Sequence, residues 1–287
     1  MYVNNIEMPV TLYLSSDDQA PVLTNANLSV ILKACLVTGY GAKHGAGWTL
    51  PYEDAANNTR VFAPKHAGEL DSYLRVKDNG NGDSIVQAYR EMTGIDAGDK
   101  ILELRTPYKY GRRNLTGRWA VIASERSIIM WVDSAYNYGP RVGQMLFYGD
   151  TASAHDGSRT LLLAHSGGDY EDGAYGSLFS AGANSSATVK AKSYRDESGT
   201  KEQDFIGFLA DGLAEYSARY VTPILLPRDK NLYAVPGIHT DTVLADNLTE
   251  IDDDGTPYIV LHSNGGYDLS GQRYFMRLVV RTDRWKY

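Results

Sequence analysis

Short runs of β-branched, aromatic and aliphatic residues, broken by turn residues about every 8–12 positions, constrain this chain more than any other feature. Val10–Leu14, Arg60–Ala63, Ser72–Val76 and Ser84–Arg90 read as strands, as do Trp119–Ala123, Ile128–Val132 and Gln144–Tyr148. Later come Arg159–Leu163, Tyr220–Leu226, Asn231–Val235, Tyr258–His262 and Tyr274–Val280. Ser72–Val76 and Ser84–Arg90 flank a turn at Asp78–Asp83, and Trp119–Ala123 and Ile128–Val132 flank Ser124–Ser127, so both pairs read as hairpins. Pro223 limits its run to an edge strand or two shorter pieces, because it has no N–H to give to a ladder. Helices do not alternate with the strands, which excludes a parallel α/β sheet.

One helix interrupts the pattern. Leu28, Ile31, Leu32, Cys35 and Leu36 lie at i, i+3, i+4, i+7 and i+8 and form a single apolar stripe. The spacing predicts a helix over about 28–37, with Asn27 as N-cap and Gly39 at the left-handed position that ends it. Its stripe needs a sheet to pack on. The fold expected is therefore mainly β, an antiparallel β-sandwich or open barrel with this N-terminal α-helix packed on it. A β-rich unit is expected over 1–150, a loop-rich insertion over 151–219, and C-terminal strands over 220–287 that complete the β core. The 28 glycines serve the turns, and the 21 tyrosines suit both strands and contact surfaces.

Charge and composition exclude several classes. A net charge of −7 argues against a dedicated nucleic-acid binder, and Lys109, Arg112, Arg113 and Arg118 read as a solvated basic loop. The single cysteine, Cys35, falls on the apolar stripe and permits no internal disulfide. Met1–Val10 has neither the basic nor the apolar region of a secretory signal, and no apolar run has the length of a membrane span.

Candidate chemistry is sparse. Gly39–Gly47, with Lys43 inside it, has the glycines and the cation of a phosphate cradle. A P-loop, however, precedes a helix, whereas this stretch follows one, so a tight helix-to-strand connection is expected. The histidines, His44, His66, His155, His165, His239 and His262, have no zinc-type spacing, and only His239 and His262 lie near neighbouring strands. His165, Ser166 and Asp169 are too close in one loop to build a triad. Asp78–Asp83 and Asp252–Gly255 hint at calcium but lack the alternating ligands and closing Glu of an EF-hand, and they read as acidic turns. No catalytic, cofactor-binding or metal-binding residue is expected.

Three segments carry a resemblance. Val10–Thr24, together with Ala34–Lys43 and Ala46–Thr49, resembles the N-terminal part of uncharacterised structural proteins encoded in tailed-phage and prophage genomes. In that group a strand ending LSSDDGAPVL precedes a helix ending ACLVxGYG and a GWT strand. Tyr73–Val76 and Ala88–Met92 continue the likeness, and Phe147–Asp150 and Val235–Gly237 echo it faintly. It covers 9–95, is patchy to 150 and fades beyond; Gln19 stands where the group has glycine. The resemblance implies a non-enzymatic virion component, capsid-associated, neck or tail, made in the bacterial host cytoplasm. Its implied partners are other virion proteins and further copies of itself, with no nucleic acid, membrane or cofactor. The alternative is a carbohydrate- or receptor-binding module at the tail or baseplate tip, with Trp48, Trp119, Trp131 and Trp285 as candidates for stacking on sugars, although Trp119 and Trp131 lie inside apolar strands and read better as core.

Overall fold

The computed structural model describes residues 6–24, 27–65, 72–80, 84–106, 117–134, 142–153, 160–165, 187–193, 203–205, 222–228, 231–240, 245–261, 263–267, 273–276 and 278–287. Strands β1 (Glu7–Pro9) and β2 (Thr11–Leu14) lead into helix α1 (Leu28–Lys33), which continues as a π-turn over Ala34–Thr38. An antiparallel five-stranded sheet follows, made of β3 (Thr49–Asp54), β4 (Thr59–Ala63), β5 (Tyr73–Asp78), β6 (Ser84–Gly94) and β7 (Ala97–Thr106) in chain order. The rest of the chain supplies β8 (Trp119–Ala123), β9 (Ser127–Ser134), β10 (Val142–Ser153), β11 (Thr160–His165), β12 (Ala187–Ser193) and β13 (Gln203–Phe205). It ends with β14 (Thr222–Arg228), β15 (Asn231–Thr240), β16 (Glu250–Asp253), β17 (Thr256–Val260), β18 (Ser263–Tyr267), β19 (Arg273–Met276), β20 (Leu278–Arg281) and β21 (Arg284–Lys286). Among the described residues the molecule is mainly β and antiparallel in nearly all its pairings, with one short helix near the N-terminus.

Strand β10 is the hub. It pairs with β9 along Val142–Gly149 and with β11 along Leu146–Thr151, and its last two residues, Ala152 and Ser153, pair with β15. From β15 the ladder runs on to β20, β17 and β16, and from β9 it runs back to β8 and β2. Early and late parts of the chain thus share one hydrogen-bonded sheet, and residue 150 falls inside β10. Within 151–219, where only Arg159–Leu163 reads as a strand, β11, β12 and β13 extend this sheet as a meander. In β12, Ala187, Val189 and Ala191 alternate with Thr188, Lys190 and Lys192, a period-2 pattern written in small residues.

The centre of the molecule is the β8–β9–β10 sheet, covered on both faces. Ala120, Ile122, Ile129, Trp131, Met145 and Phe147 point one way, onto Ile238, Ile259, Leu261, Leu278, Val280 and Trp285. Trp119, Val121, Ala123, Ile128, Met130, Val132, Leu146 and Tyr148 point the other way, onto the α1 stripe and onto Phe62, Leu74, Val76 and Val86 of the five-stranded sheet. Continuous apolar runs result, because neither face can be polar. Three layers follow, with α1 and the five-stranded sheet on one side and the C-terminal strands on the other.

All five stripe residues of the helix are buried. The Gly39 N–H closes the π-turn on Ala34 O at 2.8 Å, with Gly39 at φ 75°. The N-cap differs from expectation. Asn27 makes no capping bond; its carboxamide ties Thr24 N–H and Val22 O in the preceding loop, at 2.7 Å each. The free N–H of Ser29 is taken instead by Asp78 Oδ2 at 3.0 Å, a carboxylate brought in from the end of β5. Both expected hairpins form, β5–β6 and β8–β9. Among the described residues β14, with Pro223, pairs with β15 alone and shifts register between Pro223 and Leu225.

The second face depends on one close approach. Gly237 in β15 has φ 76°, and a Cβ there would lie 2.0 Å from Trp285 Nε1. The Trp285 indole is buried against it and donates to Arg281 O at 2.8 Å. Gly237→Ala is expected to lower stability by about 3 kcal/mol, because it combines overpacking with a strained φ. Urea unfolding checks this, and an unchanged midpoint would mean that Trp285 repacks freely.

Candidate functional site

The glycine-rich segment with its lysine is the first place to seek a binding site. Tyr40 and Lys43 pair across a tight turn, Tyr40 N–H to Lys43 O at 3.0 Å and Lys43 N–H to Tyr40 O at 2.9 Å. The turn packs against the end of β2. Gly41 lies so near the Asp18 carbonyl that a Cβ would come within 2.5 Å of it, so glycine here serves packing of backbone on backbone. The Lys43 ammonium is already engaged, donating to Asp17 Oδ2 at 2.6 Å and to Leu12 O at 2.7 Å. Asp17 Oδ2 also accepts the Tyr40 hydroxyl and the Leu14 N–H, both at 2.7 Å. Tyr13 completes the junction by donating to His44 O at 2.6 Å.

Electrostatically this is a closed knot. Burial pushes the Asp17 carboxyl up, but the bonds from Lys43, the Leu14 N–H and Tyr40 outweigh it and leave it below its ordinary value. Burial raises the Tyr13 and Tyr40 phenols, and it holds Cys35 well above the usual thiol range, so Cys35 stays a protonated, unreactive thiol. The segment is the expected helix-to-strand connection, and its lysine holds β2 to the turn.

The other residues singled out by the sequence are placed in similar ways. The Asp78 carboxylate is shared among Ser29 N–H at 3.0 Å and the hydroxyls of Ser29 and Ser84, each at 2.6 Å. Arg60 extends this network from Ser29 Oγ, at 2.7 Å, to Glu53 Oε1, at 2.8 Å. Asp252–Gly255 is a two-residue hairpin joining β16 to β17, with Asp254 at φ 51° and Gly255 at φ 79°, and Asp252 Oδ1 accepts the Gly255 N–H at 2.8 Å. Arg118 pairs with the buried Asp133, its Nη2 2.6 Å from Oδ2. Lys109, Arg112 and Arg113 lie outside the described residues, as do His66, His155, His262, Ser166 and Asp169. No group of three or more metal-type ligands occurs among the described residues. No helix among them is long and apolar enough to cross a membrane.

The tryptophans match the core reading for Trp119 and Trp131 and correct the stacking candidates Trp48 and Trp285. Trp48, Trp119, Trp131 and Trp285 are all at most 3% exposed, so none offers a face to a sugar. Trp48 donates to Ser124 O at 2.8 Å and Trp119 to Pro21 O at 3.0 Å, each indole tying a loop to the core. Sequence had no signal for burial of Trp48 and Trp285, since each stands beside polar residues. It also gave no sign of the cluster beneath the β8–β9 turn. There Ser124 Oγ and the buried Tyr287 hydroxyl lie 2.6 Å apart, and the Arg126 guanidinium sits 5.9 Å from the Tyr287 ring centroid.

His239, one of the two histidines flagged, stands edge-on to Tyr258 with ring centroids 5.6 Å apart. Burial, helped by the charge of Arg281, lowers its pKa to about 4.

With this geometry established, comparison with known proteins adds no assignment: no family model, curated protein or solved structure matches the chain.

Two outcomes are expected. Asp17→Asn leaves the Lys43 charge without its counter-charge and should cost about 1–3 kcal/mol at neutral pH. Because the folded pKa of Asp17 is depressed, its contribution is present above the unfolded value of about 4 and is lost as pH falls below it. The Asn variant should therefore lose stability less steeply in acid than the parent, as read by denaturant titrations at several pH values. His239 acts over a different window. Unfolded histidine takes a proton near pH 6.5, whereas the folded one waits until about 4, so stability falls as pH drops between those values. The total loss is up to about 3 kcal/mol. His239→Phe keeps a ring against Tyr258 and should flatten that segment of the stability curve; an unaltered slope would assign it to other groups.

Proposed function

We propose that this protein is a non-enzymatic structural component of a tailed-phage virion, working by binding other virion subunits and further copies of itself. It would be made in the bacterial host cytoplasm and end in the particle, as a capsid-associated, neck or tail protein. The observation that carries this reading is the N-terminal resemblance, and the placement of its residues supports it. Tyr13, Asp17, Tyr40, Lys43 and Trp48 all come from the segments that carry the likeness; the first four meet beside β2, and Trp48 bonds to Ser124 at the β8–β9 turn. A motif made of such residues specifies an architecture and leaves the surface free to vary.

One departure from the group supports the same view. Gln19, where the group has glycine, lies at φ 58° in an exposed turn, a conformation glycine adopts without strain. Of the polar groups that the sequence singled out, Asp17, Lys43 and Asp78 are bonded within the fold. A rigid β core of this kind suits an assembly subunit, in which many weak contacts made together yield strong attachment. Ile6 and Val22 are the large apolar side chains exposed among the described residues, so a contact surface built on those residues would be mostly polar.

The test is direct. Phage particles purified from a host carrying the gene are digested and analysed by mass spectrometry, with cross-linking to identify neighbours. The protein is expected in stoichiometric amounts, cross-linked to capsid or tail subunits. Its absence from intact particles would sink the proposal. Binding of the isolated chain on a glycan array would favour a receptor-binding module instead.

A further inference from the structure

The β5–β6 turn begins with Asn79-Gly80, both exposed, immediately after the buried Asp78 that caps the helix. Gly80 has φ 75°, and nothing lies within 4 Å of where its Cβ would be, so the turn is open on that side. A glycine after asparagine leaves the backbone nitrogen unhindered toward the asparagine side chain. We propose that Asn79 is a self-modification site, at which the folded chain converts asparagine to isoaspartate and thereby loosens the Asp78 lock on helix α1.

The chemistry needs only water. The Gly80 backbone nitrogen attacks Asn79 Cγ, a new N–Cγ bond forms and the Cγ–Nδ2 bond breaks. Ammonia leaves with the proton from the Gly80 amide, and a five-membered succinimide remains. Water then adds to one of its two carbonyls. Opening at Cγ gives aspartate, whereas opening at the main-chain carbonyl routes the backbone through Cβ and Cγ and gives isoaspartate. The net change is water in and ammonia out, with no change in oxidation state. Isoaspartate adds one methylene to the main chain and one negative charge.

The position of this insertion gives it consequences. Asp78 and Ser84 are the last paired residues of β5 and β6, and Ser84 Oγ donates to Asp78 Oδ1 at 2.6 Å. The other carboxylate oxygen holds the Ser29 N–H and hydroxyl, at 3.0 and 2.6 Å, and Asp78 N–H is held by Asn58 O at 3.1 Å. An added backbone atom next to Asp78 shifts Ser84 relative to it, and the new charge lies beside a carboxylate already in a buried network. The helix N-terminus is the element that depends on that carboxylate.

The experiment incubates the full chain at mildly alkaline pH in heavy-oxygen water, followed by fragment-resolved mass spectrometry and enzymatic isoaspartyl methylation. Hydrogen exchange at Ser29 is read in parallel. We expect heavy oxygen at residue 79 with isoaspartate as the main product, and faster Ser29 amide exchange in the modified fraction alone. Gly80→Ala should slow the reaction severalfold, and Asn79→Gln should remove the mass gain at this position. If Asn79 keeps its amide in the folded chain while reacting in urea, the fold protects it and the proposal is overturned. A gain confined to Asn81, or a modified fraction whose Ser29 exchanges at the parent rate, overturns it equally.

Discussion

Removal of both faces of the β8–β9–β10 sheet from water is the constraint on which the rest of the structure depends. A sheet with one wet face needs only one covering layer; this one needs two, and the chain supplies them from opposite ends. Trp131 and Phe147 face the C-terminal strands, whereas Trp119 and Tyr148 face α1 and the five-stranded sheet. Each fully buried aromatic side chain removes a large apolar area, at about 25 cal/mol per Å². Because β10 also carries β11 and reaches β15, losing the centre would separate both flanking layers. The ends of the chain close the second layer, with β1 paired to β21 and Tyr287 N–H bonded to Ile6 O at 3.0 Å.

Around this apolar centre, a few buried polar groups decide how the layers meet. Asp17 draws Lys43, Tyr40 and the Leu14 N–H to one carboxylate oxygen, and so docks the post-helix turn on β2. Asp78 does the same at the other end of the helix, joining it to the β5–β6 hairpin. Hydrophobic burial has no direction and would tolerate α1 sliding along the sheet. These carboxylates have direction, and together they fix both ends of the helix. Lys43 of the glycine-rich segment and Asp78 of the acidic turn thereby serve to dock the helix.

Much of the architecture was legible in sequence because it rests on local rules. The helical stripe from Leu28 to Leu36, the β8–β9 hairpin and the broken register of β14 at Pro223 all follow from periodicity and turn chemistry. Asp252–Gly255 likewise forms the acidic turn that its residues suggest. Strand β12 was harder to read, because alanine supplies most of its apolar side and alternation in small residues carries little signal. The helix cap was misplaced for another reason. Asn27 is the right residue type in the right place, yet a carboxylate 49 positions away from Ser29 took the role. The suggested sites suffered the same ambiguity: a lysine among glycines looks identical whether it waits for a phosphate or pairs with Asp17.

Taken alone, the sequence determined the fold class, the helix and most strands, since hydrophobic period and turn residues act over neighbouring positions. Tertiary structure alone decided which layer covers which face of the central sheet, and it placed Trp48 and Trp285 in the core. It also showed that Asp17, Lys43 and Asp78 are committed to one another and to the helix. Those outcomes depend on which distant groups meet in space. A carboxylate or an indole finds its partner only when packing brings that partner within hydrogen-bond distance.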